Sequence, residues 1–137
     1  MMKSGRYYIG DLCYVMNNQW DEFCSKSIIN RECIYGEIVF DNGVKTTHFG
    51  TAHGDGNYLD QYDNEYPVDA GLIGCVLVSD ISDPKADLDL GNIIDFDEDF
   101  SCYEDDGYIY FGHICINTNY DEEEDEYDEG LEDEQPE

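Results

Sequence analysis

A mainly β, α+β domain follows from three features of this chain. Apolar residues alternate with period two, turn dipeptides separate the alternating runs, and one segment carries helical spacing. About eight short strands and one helix over residues 1–120 predict a single globular domain, an antiparallel barrel or sandwich. Residues 121–137 break the pattern and predict a separate acidic, low-complexity tail that is disordered in isolation.

In chain order, "RYYIG" and "LCYVM" read as two strands divided at Gly10-Asp11 by a turn or bulge. In "NNQWDEFCSKSI", Trp20, Phe23, Cys24 and Ile28 recur at helical intervals, and Asn17 or Asn18 can cap the start. That predicts a helix of about ten residues. "CIYGEIVFDNGVKTTHF" holds two alternating runs joined by Asn42-Gly43, whose tolerance of positive φ predicts a type I′ hairpin. "CYEDDGYIYF" repeats the device at Asp106-Gly107. "EYPVDAGLIGCVLVSDI" predicts a short strand, a glycine-marked turn and a strongly apolar strand; "LGNIIDF" and "HICINT" add two more. A turn at Asp97-Glu98 would send Phe96, Phe100 and Cys102 inward and leave the neighbouring acids in water.

Of 137 residues, 34 are acidic and 6 basic, a formal charge of −28. Twelve acids lie in residues 121–137, which hold no Lys or Arg, so the remainder sets 22 acids against 6 bases, or −16. Solubility alone calls for a magnitude of roughly 2 to 8 in a small domain. Such a surface repels nucleic acid and anionic membrane and attracts basic protein patches or cations. No run reaches the ~18 apolar residues of a membrane helix. The start, "MMKSGRYYIG", lacks the apolar stretch of a secretory signal, so a cytoplasmic protein is expected (host cytoplasm for a phage-encoded one). The six cysteines form no C-x-x-C pair and sit mostly in apolar runs, which predicts buried, reduced thiols.

The glycine-rich stretch 53–74 is the first candidate site. Gly54 and Gly56 flank Asp55 and could bring backbone N–H groups close to a ligand, with Asp69 as a further polar contact. A Walker lysine and a helix-opening G-x-G-x-x-G are both missing, and the local acids would repel a phosphate. Turns between strands are the simpler reading; a cation or small molecule is the ligand alternative. "DFDEDFSCYEDD" partly matches a calcium loop, but Phe100 stands where the sharp turn needs Gly, and the flanks read as strands. Neither the cysteines nor the three histidines have zinc spacing. No metal or cofactor is called for. Catalysis has thin support, because His48, His53 and His113 lack a telling Asp or Ser context and carboxylate pairs arise by chance among so many acids.

The tail's charge density is more specific. Extended, its 17 residues span about 58 Å, one charge per about 4.8 Å; helical, they span about 25 Å, one per about 2.1 Å. A nucleic-acid strand offers one charge per about 3.4 Å. The candidate partner-binding surface comprises Asp60, Asp63, Glu65, Asp87, Asp89, Asp95, Asp97, Glu98, Asp99, Glu104, Asp105 and Asp106 in the body. Asp121, Glu122, Glu123, Glu124, Asp125 and Glu126 continue it into the tail, and interleaved tyrosines suit a protein interface.

The segments "SGRYYIGDLCYV", "TAHGDGNYLDQY" and "YPVDAGLIGCVLV", followed by "CYEDDGYIYFGHICINT", resemble a small uncharacterised family of phage and bacterial proteins. Its pattern is a Y-Y-I-G-D-x-C-Y-V start, a G-D-G-x-Y loop and a V-D-x-G-x-I-G strand, covering residues 4–118. The resemblance implies a compact one-domain fold of phage type; it carries no catalytic or binding residue, and the tail lies outside it. The expected function is that of a non-enzymatic inhibitor that mimics nucleic acid and occupies the basic surface of a host DNA- or RNA-binding defence protein. An acidic structural or housekeeping protein is the other alternative.

Overall fold

The computed structural model describes residues 1–119. Those residues form twelve strands in three antiparallel sheets and one α-helix. The strands are β1 (Gly5–Gly10), β2 (Ile28–Ile29), β3 (Glu32–Cys33), β4 (Gly36–Val39), β5 (Lys45–Gly50) and β6 (Gly56–Asp60). They continue with β7 (Glu65–Val68), β8 (Leu72–Leu77), β9 (Gly91–Phe96), β10 (Cys102–Asp105), β11 (Tyr108–Phe111) and β12 (Ile114–Asn117). Sheet I runs β4-β5-β8-β1-β9, sheet II runs β10-β11-β12-β6-β7, and β2-β3 form a small hairpin. The helix, α1, is Trp20–Ser27.

Period two explains the layers. In β1, Tyr7 and Ile9 face sheet II and pack with Tyr58, Tyr66, Ile109, Phe111 and Ile116, while Tyr8 points to the other side. There Tyr8 and Val76 meet Leu12, Val15, Met16 and Phe23, with Ile81 and Leu88 closing over them. Sheet I therefore has apolar layers on both faces, which is why "GCVLV" shows no alternation. Tyr7 lies edge-on to Phe96 and Phe100, themselves stacked at 3.8 Å, so the inward turn of Phe96 and Phe100 is present. At one edge the two sheets meet where Asn92 Nδ2 donates to Glu65 O at 2.8 Å.

Several local expectations need correcting. "LCYVM" is not a strand: Asp11 accepts from Cys13 N, the chain turns into a 3-10 helix at Leu12–Tyr14, and Leu12, Val15 and Met16 are buried together. A second 3-10 turn at Asn17–Gln19 leads into α1, which has no side-chain cap; Asn18 instead binds Asp83 and Ser82. α1 spans eight residues and stops before Ile28, which starts the small hairpin and is exposed. The β4–β5 connection has positive φ at Gly43 alone, with Gly43 N donating to Phe40 O and Phe40 N to Val44 O. That is a type I turn with a G1 bulge rather than type I′. At Asp106-Gly107 both φ angles are positive (51° and 84°), and the two-residue type I′ turn is present as expected. Strand β6 falls within what the sequence reads as connecting loop.

All six cysteines are free thiols. Cys75 alone is fully buried; Cys33 is exposed and the other four are half-buried, so the expectation of uniformly buried thiols is too simple. Burial, and then Cys102 beside it, raises the Cys75 pKa well above that of an ordinary thiol. No helix among the described residues is long and apolar enough to cross a membrane.

Candidate functional site

Asp60 apart, the candidate acids of the body fall into three groups rather than one continuous patch. The first surrounds the β9–β10 loop, where Asp97, Glu98 and Asp99 are exposed. Arg6 binds Asp95 at 2.8 Å and Lys3 approaches Asp99 at 3.8 Å, so bases offset this end. Arg6 holds the Asp95 carboxyl below its usual range. The β6–β7 turn with exposed Asp63 approaches this end, since Gln61 Nε2 donates to His113 O and His113 packs on Phe96, whereas exposed Glu65 sits at the sheet edge beside Asn92. The second group, Asp87 and Asp89, sits on the segment that covers the outer face of sheet I, with Lys85 close in sequence.

The third group occupies the opposite end of the sandwich, and hydrogen bonds join its loops into one platform. Glu104 Oε2 accepts from Gly107 N at 2.8 Å, shaping the β10–β11 turn that carries Asp105 and Asp106. Asn119 Nδ2 donates to Asp106 O, and Thr118 N and Oγ1 donate to Gly107 O. The 51–56 loop joins through Ala52 N to Thr118 Oγ1 and through His53 Nε2 to Asn119 O. Thr51 N reaches Gly71 O, and Asp55 Oδ1 faces Gly71. Glu104, Asp105, Asp106, Asp55 and Asp69 are all exposed, and none forms an ion pair among the described residues. Asn119 is the last described residue, so the sequence leaves this platform into the twelve acids that follow. The candidates Asp121, Glu122, Glu123, Glu124, Asp125 and Glu126 lie outside the described residues.

Beside this end, the outer face of sheet II presents aromatic side chains. The register aligns Tyr103 with Tyr110 and Asp105 with Tyr108. Tyr103 and Tyr110 stack at 4.4 Å between centroids with a 15° interplanar angle, and Tyr103 is 52% exposed, Tyr108 38%. Cys115 beside it raises the Tyr110 pKa, with partial burial and the nearby Tyr103 and Asp105 adding to the effect. Leu59, Gln61, Tyr108, Cys115 and Asn117 frame a shallow depression of about 300 Å³ on this face. Tyr is enriched at protein interfaces, where it supplies contact area at low entropy cost.

One predicted site residue, Asp60, touches the floor of this depression but is almost wholly withdrawn from solvent. Asp60 is 5% exposed; its Oδ1 accepts from Tyr62 N and Asn64 N, and its Oδ2 from Asn64 Nδ2 and Tyr66 OH. It organises the β6–β7 turn from within, and burial together with Asp60 raises the Tyr66 pKa far above an ordinary phenol's. Gly54 adopts φ of 71° and its carbonyl accepts from Tyr58 OH and Thr51 Oγ1, while Gly56 opens β6. Nearby, Asp69 N and Ala70 N both donate to Asp11 Oδ2, at 2.7 and 2.5 Å.

Asp11 is the residue sequence reading missed. Fully buried, it also accepts from Cys13 N at 3.0 Å, and so ties the end of β1 to the β7–β8 loop. The available signal was its place immediately after a strand, followed two residues on by a turn donor, as in an Asx-turn. Burial, with Asp11 second, raises the Cys13 pKa well above the usual thiol range. Among the described residues no group of three or more His, Cys, Asp or Glu is placed to hold a metal ion. No family model, curated protein or solved structure matches this chain.

Proposed function

We propose that this protein is a non-enzymatic, phage-type inhibitor that mimics nucleic acid and docks on the basic nucleic-acid-binding surface of a host defence protein. The observation that carries the reading is the end of the sandwich at Glu104, Asp105, Asp106, Asp55 and Asp69, where these acids form no ion pair among the described residues and from which the sequence runs into twelve further acids. Carboxylates there stand in for phosphates and pair with the Arg and Lys that grip a backbone. Long-range attraction speeds encounter and weakens with salt, while Tyr103, Tyr108 and Tyr110 supply the contact that charge alone cannot make specific.

Conservative neutralisation tests this without dismantling the turn. Gln at 104 keeps the acceptor for Gly107 N, and Asn suits the positive φ of Asp106. Full-length E104Q/D105N/D106N and a control, D97N/E98Q/D99N, are used as baits in host lysate beside the parent chain. The expected result is capture of a nucleic-acid-binding protein that competing duplex displaces, weakened by the first triple far more than by the second. Capture that duplex does not displace, or equal loss from the two triples, refutes the proposal.

A further inference from the structure

A cavity of about 220 Å³ opens between α1, the β2–β3 hairpin, β5 and the start of β8, with Ala70 and Gly71 of the β7–β8 loop in its wall. Trp20 and Phe23 on α1, Tyr35 after the hairpin and Leu72 on β8 give it aromatic and aliphatic walls. Among the described residues, no charged side chain lines it. At its base is His48, 2% exposed, with Phe23 edge-on at 4.8 Å and Tyr35 at 5.6 Å.

His48 is the anomaly. Buried polar atoms are almost always hydrogen-bonded, and one left alone costs about 1–3 kcal/mol. His48 Nδ1 is buried with no hydrogen-bond partner, and the backbone of Gly36 and Ile34 draws near without meeting bonding geometry at that atom. Burial also pushes the His48 pKa down to about 4, so at neutral pH the ring is uncharged and can either accept or donate through Nδ1, according to its tautomer. A core histidine placed only for packing would sit better as Phe or Leu among these neighbours.

We propose that this cavity is a binding site for a small, neutral, planar aromatic molecule bearing one polar hydrogen, of the phenol or indole class, which stacks against the aromatic walls and hydrogen-bonds His48 Nδ1. The size is suitable, since a cavity of ~150 Å³ already admits benzene. The absence of charge in the lining disfavours ions, and the acidity of the body disfavours anions. The site differs from the glycine loop around Gly54 and Gly56, and it stands or falls independently of the proposed inhibitor function.

Trp20 is the only tryptophan and forms part of the wall, so its emission, excited at 295 nm to avoid the ligand, reports occupancy. Phenol and toluene are titrated into the full-length protein, and the imidazole ¹⁵N signals are followed in parallel. Saturable quenching by phenol, a shift confined to the His48 imidazole, and at least tenfold weaker binding of toluene are expected. H48F should bind toluene no worse than the parent and lose the preference for phenol. Should H48F fail to fold, the ¹⁵N shift in the parent decides, and C24F, which fills the cavity, should abolish both titrations. The proposal is overturned by the absence of saturable binding, by equal affinity for phenol and toluene, or by a His48 imidazole signal that does not move at saturation.

Discussion

Removing the Asp11 carboxylate tests whether a buried charge holds the two halves of sheet I's connections together. Its oxygens accept three backbone N–H groups, from Cys13, Asp69 and Ala70, at 3.0, 2.7 and 2.5 Å. In Asp11→Ala all three donors lose their partner. Each hydrogen bond to a charged group contributes about 1.5–3 kcal/mol, and because the three share one acceptor group their sum falls at the low end, about 4–5 kcal/mol. That is a large part of the 5–15 kcal/mol typical of a folded domain. Asp11→Asn keeps one acceptor oxygen, which can serve Cys13 or the 69–70 pair but not both, so about half the loss is expected. Urea unfolding followed by Trp20 fluorescence at neutral pH measures both. A second readout is chemical: loss of the Asp11 charge lowers the Cys13 pKa, and mass spectrometry should find Cys13 alkylated faster in both variants. If Asp11→Ala unfolds within about 0.5 kcal/mol of the parent, or if Asp11→Asn is the worse of the two, the carboxylate is not the clamp described here.

Acid should expose His48. Its folded pKa of about 4 lies below the unfolded value of 6.5, so the unfolded chain binds the extra proton first and stability falls as pH drops from 6.5 towards 4. The shift corresponds to about 3 kcal/mol in all, and the stability difference between the parent and H48F should narrow or reverse by about 2 kcal/mol between pH 7 and pH 5; a constant difference refutes it. Gly107→Ala should lower the thermal midpoint by roughly 6–10 °C, because the position has φ of 84° and a Cβ would run into the Asn119 amide that locks the turn. An unchanged midpoint in calorimetry would mean that the acidic platform does not depend on this turn.

The sandwich was legible because alternation survives wherever one face of a strand meets water, as in "YIYF" of β11, where Ile109 and Phe111 are buried and Tyr108 is exposed. It failed where a side chain redirects the backbone. "LCYVM" has strand-like residues, yet Asp11 captures Cys13 N and converts the run to a 3-10 turn; the spacing of Leu12, Val15 and Met16 is the trace of that outcome. Counting acids located the charge but could not separate Asp60, which is consumed by four internal donors, from Asp63, which faces water three residues later. The His48 cavity was not legible at all. Its walls come from α1, the hairpin and β8, far apart in sequence, and no spacing rule joins them.

The positions of the few bases give the acidity its direction. Lys3 and Arg6 fasten the first strand to the β9–β10 loop, Lys26 joins α1 to the β4–β5 turn at Asp41, and Lys45 with the amino terminus closes on Glu37. Each of these contacts bridges segments distant in sequence, so four of the six bases serve seams of the fold. Paired surface charges contribute little individually, typically below about 1 kcal/mol, and do not explain such placement as a search for stability. They do relieve repulsion where acidic segments must approach one another. At the Asp55–Asp69–Glu104 end the approach is managed differently: Ala52, His53, Thr118, Asn119 and Gly107 join the loops through hydrogen bonds, and the carboxylates are exposed with no ion pair among the described residues. With neither Lys nor Arg in an ion pair at this end among the described residues, the carboxylates keep their field there, and the proposed partner rich in Arg and Lys is one that such a field would attract.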